Sequence, residues 1–293
     1  MEFFYTYGTI KTALPLVDAE NADFVIFGVP FDSTTSYKPG ARFGPALIRQ
    51  ATINLESYIL DYDIDLANVK IADIGDIDIV AGNPLETIKR IIETIKELKV
   101  ANSKTMPIML GGEHSMTYAP VRALKPKSYI VFDAHLDLRN EYESNPWNHA
   151  CVARRISELG VEIAEFGIRS GIREEVEYAK EKNIKWIHAR EYSFEKFKEI
   201  VKNMPEPVYI SIDIDVFDIS MVPSTGTPEA GGLRFWEIIE ALEWLTKEKE
   251  VVGFDIMEVA GTELGDITAL TGAKLMFYLI GMLSRECKNT EAF

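Results

Sequence analysis

Eight short runs rich in apolar residues limit what this chain can become. They fall at 24–27, 69–74, 108–110, 129–132, 162–166, 184–187, 208–212 and 251–256. None shows the clean in–out alternation of a strand with one face in water, so both faces of each must be covered. Between the runs lie segments with helical periodicity. One opens on Asn83-Pro84-Leu85-Glu86, with Asn as N-cap, Pro at the first helical position and Glu at the third. Leu85, Ile88, Ile92 and Ile95 then mark a single apolar face. Further helices are expected near 46–52, 116–124, 150–159, 173–182, 194–203, 236–247 and 266–285, while residues 1–22 read as an irregular lead-in. Strands alternating with helices predict a parallel sheet sandwiched between helices. The pattern alone leaves closure into a barrel open. With no internal repeat, low-complexity segment or linker, one domain spanning 1–293 is expected.

In open sheets of this kind, ligands sit beyond the carboxyl ends of the strands. Three of the runs end in the right chemistry. Residues 130–137 read I-V-F-D-A-H-L-D, placing Asp133, His135 and Asp137 at every second position. In extended chain, residues two apart point to one side. Residues 208–215 read V-Y-I-S-I-D-I-D and close on Asp213 and Asp215. Gly111-Gly112-Glu113-His114-Ser115 follows a third run and adds His114. Two carboxylates and an imidazole on one face of a buried strand are costly without a counter-charge. Either acidic strand alone could end in an exposed loop; all three pieces together point to a cation site. Two imidazoles and four carboxylates are too many for one tetrahedral zinc and suit a pair of Mn²⁺-like ions. Four Asp against two divalent ions is neutral, as a buried site requires.

Composition narrows the partners. The net charge of −15 leaves no basic face for nucleic acid and favours a small cationic substrate by weak long-range steering. Hydrophobic residues at 47% and charged residues at 26% are those of an ordinary globular protein. Cys151 and Cys287 form neither a metal-spacing pair nor a disulfide framework, so a reducing cytoplasm is expected. Residues 1–8 do not resemble a signal peptide, and the apolar run 275–283 is too short to span a bilayer, so no membrane partner is expected.

The three ligand pieces resemble the ureohydrolase family, which comprises arginases, agmatinases and related amidinohydrolases. Gly28-Val29-Pro30-Phe31-Asp32, Pro39-Gly40-Ala41-Arg42-Phe43-Gly44-Pro45, the 225–233 stretch and Asp255-Ile256-Met257-Glu258-Val259 are similar to the family as well, in family order. The resemblance implies a three-layer α/β/α sandwich with a doubly wound, mostly parallel eight-stranded sheet, and two Mn²⁺ per subunit. It implies that His114 and Asp137 hold one ion, His135 and Asp215 the other, and that Asp133 and Asp213 bridge them. It also implies a homo-oligomer, trimer or hexamer. Asn148-His149-Ala150-Cys151 and the loop Asn140-Glu141-Tyr142-Glu143 look most like the agmatinase branch. Asp218-Ile219 and Pro223-Ser224 depart from the family's Asp-Pro and Pro-Gly, which bears on loop geometry and not on the ligands.

The expected reaction is hydrolysis of agmatine to putrescine and urea, a step of polyamine metabolism, with a metal-bridging hydroxide as nucleophile. Guanidinium is a poor electrophile, hence the need for a metal-activated water. Glu258 is expected to pair with the guanidinium and His149 to carry protons at a near-neutral pKa, and the resemblance implies that Asp137 relays a proton to the leaving amine. Glu113 either supports His114 or caps the helix after it. His188 reads as structural, and Cys151 as a small buried hydrophobe. Another ureohydrolase (arginase, guanidinobutyrase or formiminoglutamase) and a metal-binding relative without turnover are the alternatives.

Overall fold

The computed structural model describes residues 3–290, with backbone only from 286 onward, where Cys287 falls. Its strands are β1 (Thr6–Tyr7), β2 (Phe24–Val29), β3 (Tyr58–Ile59), β4 (Ile64–Asp65), β5 (Ile71–Ile77), β6 (Met106–Gly111), β7 (Ser128–Phe132), β8 (Glu162–Ile168), β9 (Lys185–His188), β10 (Val208–Asp213) and β11 (Val251–Met257). Its α-helices are α1 (Gly44–Ala51), α2 (Pro84–Ala101), α3 (Tyr118–Leu124), α4 (Val152–Ser157), α5 (Arg173–Glu181), α6 (Phe194–Val201), α7 (Phe235–Glu248) and α8 (Ile267–Thr290). As the sequence predicts, Asn83 caps α2 by accepting the Glu86 N–H at 3.1 Å.

The central sheet runs β1-β5-β2-β6-β11-β10-β7-β8-β9. Every pairing is parallel except that of β1 with β5. The eight predicted strands are thus the parallel body of an open sheet, and no barrel closes. The expected eight-stranded sheet is corrected to nine by β1, which the sequence reads as part of an irregular lead-in. A two-residue edge strand carries no period to read. A small hairpin of β3 and β4 lies apart.

Alternate strand residues feed opposite layers. Ile108, Leu110, Ile130, Phe132, Ile210 and Ile212 pack with residues of α1, α6, α7 and α8. On the other face, Val25, Phe27 and Met109 meet α2, while Tyr129, Val131, Ile163 and Tyr209 meet α4 and α5. Helix α8 is apolar enough over Ile267–Arg285 to cross a bilayer by composition, yet 78% of that window is buried, so packing in the core accounts for its apolarity.

Strand order positions the site. β6, β11, β10 and β7 lie side by side, so their carboxyl ends share one stretch of the sheet rim. Ile212 is paired with both Phe132 and Ile256, which sets the ends of β7, β10 and β11 level. Gly112, just past β6, runs so close to β2 that a Cβ there would sit 2.0 Å from the Phe31 carbonyl oxygen. Only glycine lets the ligand-bearing turn fit against its neighbour.

Candidate active site

His114 opens a 3-10 turn, His114–Thr117, directly after β6. Its Nε2 lies 2.9 Å from Ser211 Oγ, and that hydroxyl donates to Asp255 Oδ1 at 2.5 Å. Thr117 and Tyr209 donate to the other Asp255 oxygen. A hydroxyl already donating to a carboxylate can only accept from the ring, so Nε2 carries the proton and Nδ1 the lone pair. That Nδ1 is buried without a hydrogen bond. It faces Asp133 Oδ2 at 3.0 Å, Asp213 Oδ2 at 3.3 Å and Asp137 Oδ2 at 3.6 Å.

His135 Nδ1 repeats the pattern, 3.1 Å from Asp215 Oδ2 and 3.6 Å from Asp133 Oδ1. Two groups of potential ligands result: His114, Asp133 and Asp213, and Asp133, His135 and Asp215, with ligand atoms in each group within 4.8 Å of one another. Asp133 alone belongs to both and turns one oxygen to each histidine. Asp213 spends its Oδ1 on the Asp215 N–H at 2.9 Å, and Asp137 stands just outside the first group.

This donor set fits a pair of divalent ions. An orphaned buried imidazole nitrogen aimed at three carboxylate oxygens is what a cation between them would satisfy. Burial and Asp133 hold the Asp137 carboxyl well above its ordinary range, and burial with Asp215 does the same to Asp213. Acids so placed do not ionise together unless a cation joins them.

The cluster opens into a cavity of about 320 Å³ that Glu258, His149, Glu175 and Tyr142 also line. Glu258 follows β11 at a φ of 63°, an uncommon backbone for a non-glycine residue and one found at functional sites. Two bonds hold it: its N–H donates to the Gly112 carbonyl at 2.9 Å, and its Oε1 accepts the His114 N–H at 2.7 Å. Burial and the nearby Glu113 push its carboxyl up to about 8. His149 begins a second 3-10 turn, His149–Cys151. Its Nδ1 lies 2.8 Å from the Thr34 carbonyl, and its Nε2 lies 3.2 Å from Ser36 Oγ. The near-neutral pKa expected for His149 is corrected: burial pulls the imidazole down to about 4. At neutral pH it is therefore uncharged.

Other sequence expectations sort plainly. Glu113 does not cap the turn that follows it. Burial pushes the Cys151 thiol up to about 12, against any nucleophilic role. Exposed His188 caps a short turn through the Arg190 N–H at 3.0 Å. Ile219 and Ser224, the two departures, stay out of the cavity lining. Within the agmatinase-like loop, Tyr142 lines the cavity under the Arg139 guanidinium, whereas Glu141 and Glu143 are exposed. Sequence reasoning missed Arg169, whose guanidinium donates to the carbonyls of Asp215 at 2.6 Å, Glu229 at 2.8 Å and Ala230 at 3.1 Å. It ties the second acid cluster to the loop beyond it, and a lone Arg after a strand gives no signal of that.

Comparison with known proteins agrees with this geometry. A family profile described as the arginase family matches residues 22–281. The chain is 69% identical to N(1)-aminopropylagmatine ureohydrolase of Thermococcus kodakarensis, across 97% of this chain and 99% of that protein. It is 63% identical to agmatinase of Pyrococcus horikoshii, across 96% and 99%. The crystal structure of agmatine ureohydrolase of Thermoplasma volcanium superposes with a TM-score of 0.88 at 36% identity, covering 97% of each chain. Fold and site together define a hydrolytic enzyme of the α/β class with a candidate metal centre. The chain belongs to the arginase family.

Proposed function

We propose that this enzyme hydrolyses the guanidinium C–N bond of a guanidine with a cationic tail, releasing urea, and that agmatine is its substrate, with putrescine the second product. The observation that carries this reading is one cavity in which His114, His135, Asp137 and Asp213, with Asp133 and Asp215 bound up in the same ligand groups behind them, meet a separate buried carboxylate, Glu258. His114 and Asp137 would hold one Mn²⁺, His135 and Asp215 the other, with Asp133 and Asp213 between them. When bound, such a pair of ions acidifies water enough to supply a nucleophile near neutral pH. Glu258, whose carboxyl the arriving cation draws back into its ionised form, orients the planar guanidinium by charge-assisted hydrogen bonds. His149 accepts a proton at Nε2 and passes it on, and Asp137 hands a proton to the departing amine. With Asp137 and Asp213 balanced by the ions, Glu175 and Glu258 still outnumber Arg139 among the charged lining residues, which favours a cationic substrate over a carboxylate. We further propose one domain, a cytoplasmic location and a trimeric or hexameric assembly.

A second reading is favoured by the 69% identical relative, named for aminopropylagmatine. The two substrates differ only in the tail. Urea release from the Mn²⁺-loaded protein with agmatine, N(1)-aminopropylagmatine, arginine and 4-guanidinobutyrate in parallel separates them. A cationic-tailed guanidine should lead by at least about tenfold in kcat/KM, some 1.4 kcal/mol. A lead for arginine or 4-guanidinobutyrate would overturn the substrate assignment, and no urea from any of them would overturn the reaction.

Glu258→Gln tests the orienting role. Glutamine keeps an oxygen for the His114 N–H and replaces the other carboxylate oxygen with an amino group. Losing one charge-assisted bond costs about 1.5–3 kcal/mol, roughly 10- to 150-fold in kcat/KM. Metal content should not change; a variant that arrives stripped of metal would place Glu258 in the metal cage instead.

A further inference from the structure

We infer that Glu113 and Thr34 are positioning residues for His149: the buried Glu113 carboxylate holds Thr34, and Thr34 sets both the place and the tautomer of the imidazole. This rests on His149 as the proton carrier and adds what holds it there.

Glu113 is fully buried in the turn after β6. Its Oε2 accepts the Thr34 N–H at 2.7 Å, and its Oε1 accepts the Thr34 hydroxyl at 2.6 Å and the Ser115 hydroxyl at 2.5 Å. The carboxylate thus grips Thr34 at two points with charge-assisted bonds, the stronger kind. Its sequence neighbour His114 faces the acid cluster, yet Glu113 reaches the loop after β2 instead.

Thr34 then grips His149 at two points. Its hydroxyl, whose proton goes to Glu113, accepts the His149 N–H at 3.0 Å. Its carbonyl accepts Nδ1–H at 2.8 Å and the Asn148 side-chain amide at 3.2 Å. A carbonyl can only accept, so the neutral ring keeps its proton on Nδ1 and its lone pair on Nε2. Nε2 is the nitrogen near Ser36, which lines the cavity with His149. Without the Thr34 grip, neither the ring plane nor the protonated nitrogen is fixed. The turn that presents His114 therefore also holds the proton carrier in register with the acid cluster.

The test uses Mn²⁺-loaded Thr34→Val, which keeps shape and carbonyl but loses the hydroxyl, with Glu113→Gln as a second variant and His149→Ala beside them. The assays are kcat and KM for the best guanidine substrate, Mn²⁺ per chain, and the response of kcat to added imidazole. A positioned proton carrier contributes about 10²- to 10⁴-fold, and loosening its hold forfeits part of that. Thr34→Val should lose about tenfold in kcat with KM within twofold and Mn²⁺ unchanged, imidazole should restore part of the loss in His149→Ala, and the double variant Thr34→Val/His149→Ala should be little worse than His149→Ala alone, because a residue that acts through His149 has nothing left to position. If Thr34→Val and Glu113→Gln keep kcat within twofold while His149→Ala is impaired, the inference fails and the role of His149 stands. If the losses of Thr34→Val and His149→Ala multiply in full in the double variant, Thr34 acts independently of His149, only supports the fold, and the inference fails. If His149→Ala turns over at the wild-type rate, His149 carries no essential proton and both fall.

Discussion

Asp133→Asn is expected to abolish turnover, by about 10³-fold or more, about 4 kcal/mol, and to lower bound metal with it. The substitution changes almost nothing in shape. The His135 N–H can still reach an oxygen in place of Oδ1, its present partner at 2.7 Å. What changes is the other side. Asp133 turns Oδ2 to His114 and Oδ1 to His135, so it is the one residue common to both ligand groups. Asparagine offers one oxygen and one amino group, and the amino group presents its hydrogens to a cation. Asp213→Asn should behave alike: its oxygen keeps the Asp215 N–H, and its amino group then faces the His114 side. Metal analysis by mass spectrometry alongside urea release checks both. A variant with full metal and wild-type rate would end the binuclear proposal. The contrast with Glu258→Gln, where turnover falls and metal stays, separates the cage from the group that orients the substrate.

Much of this site was legible before any coordinates, for a local reason. Ligands at every second residue past a buried strand need only extended chain to converge, and runs covered on both faces need only helices on either side. What was hidden is what long-range contact decides. Nothing in residues 6–7 marks a strand, because β1 exists only through its pairing with β5. The predicted helices at 116–124 and 150–159 begin in 3-10 turns that carry His114 and His149, a local tightening that apolar period does not register. A near-neutral His149 followed from its residue type; burial, a property of the packed molecule, moved it down. Glu113 belongs by sequence to His114 but by hydrogen bonding to Thr34, 79 residues away, and Thr34 belongs to His149, 115 residues on. No spacing rule reaches across such distances. Asp255 was legible as part of a motif, yet its support of His114 through Ser211 becomes visible only once β10 and β11 are paired.

The largest effect on stability is expected away from the chemistry, at Arg49→Met. Arg49 lies on α1 and has no exposed surface. Its guanidinium donates to both Asp73 oxygens, from Nε at 2.9 Å and from Nη2 at 3.0 Å, to Asp76 Oδ1 at 2.5 Å, and to the Gly75 carbonyl at 2.9 Å. Both acids lie on β5, so the cluster ties α1 to the sheet. Methionine fills similar space but leaves the buried Asp76 carboxylate without its cation and Asp73 with only Lys11, 3.7 Å away. Breaking a buried pair from one side costs about 3–5 kcal/mol, because the remaining charge has no solvent. Thermal unfolding followed by circular dichroism should show a Tm lower by roughly 10 °C. Adding Asp76→Leu should recover part of the loss, since it removes one stranded charge; Asp73 keeps the N–H groups of Thr12 and Gly75 and is less dependent on Arg49. A Tm of Arg49→Met within a degree or two of wild type would mean that water reaches the acids and the pair is dispensable. The same cluster explains a glycine the sequence could only place in a motif. A Cβ on Gly28 would sit 2.0 Å from Asp76 Oδ1 and 2.9 Å from Arg49 Nη1, so Gly28 makes room for the ion pair. The segment between that glycine and α1 carries Thr34 and Ser36, so the cluster that holds α1 to the sheet also fixes the α1 end of the loop that holds His149.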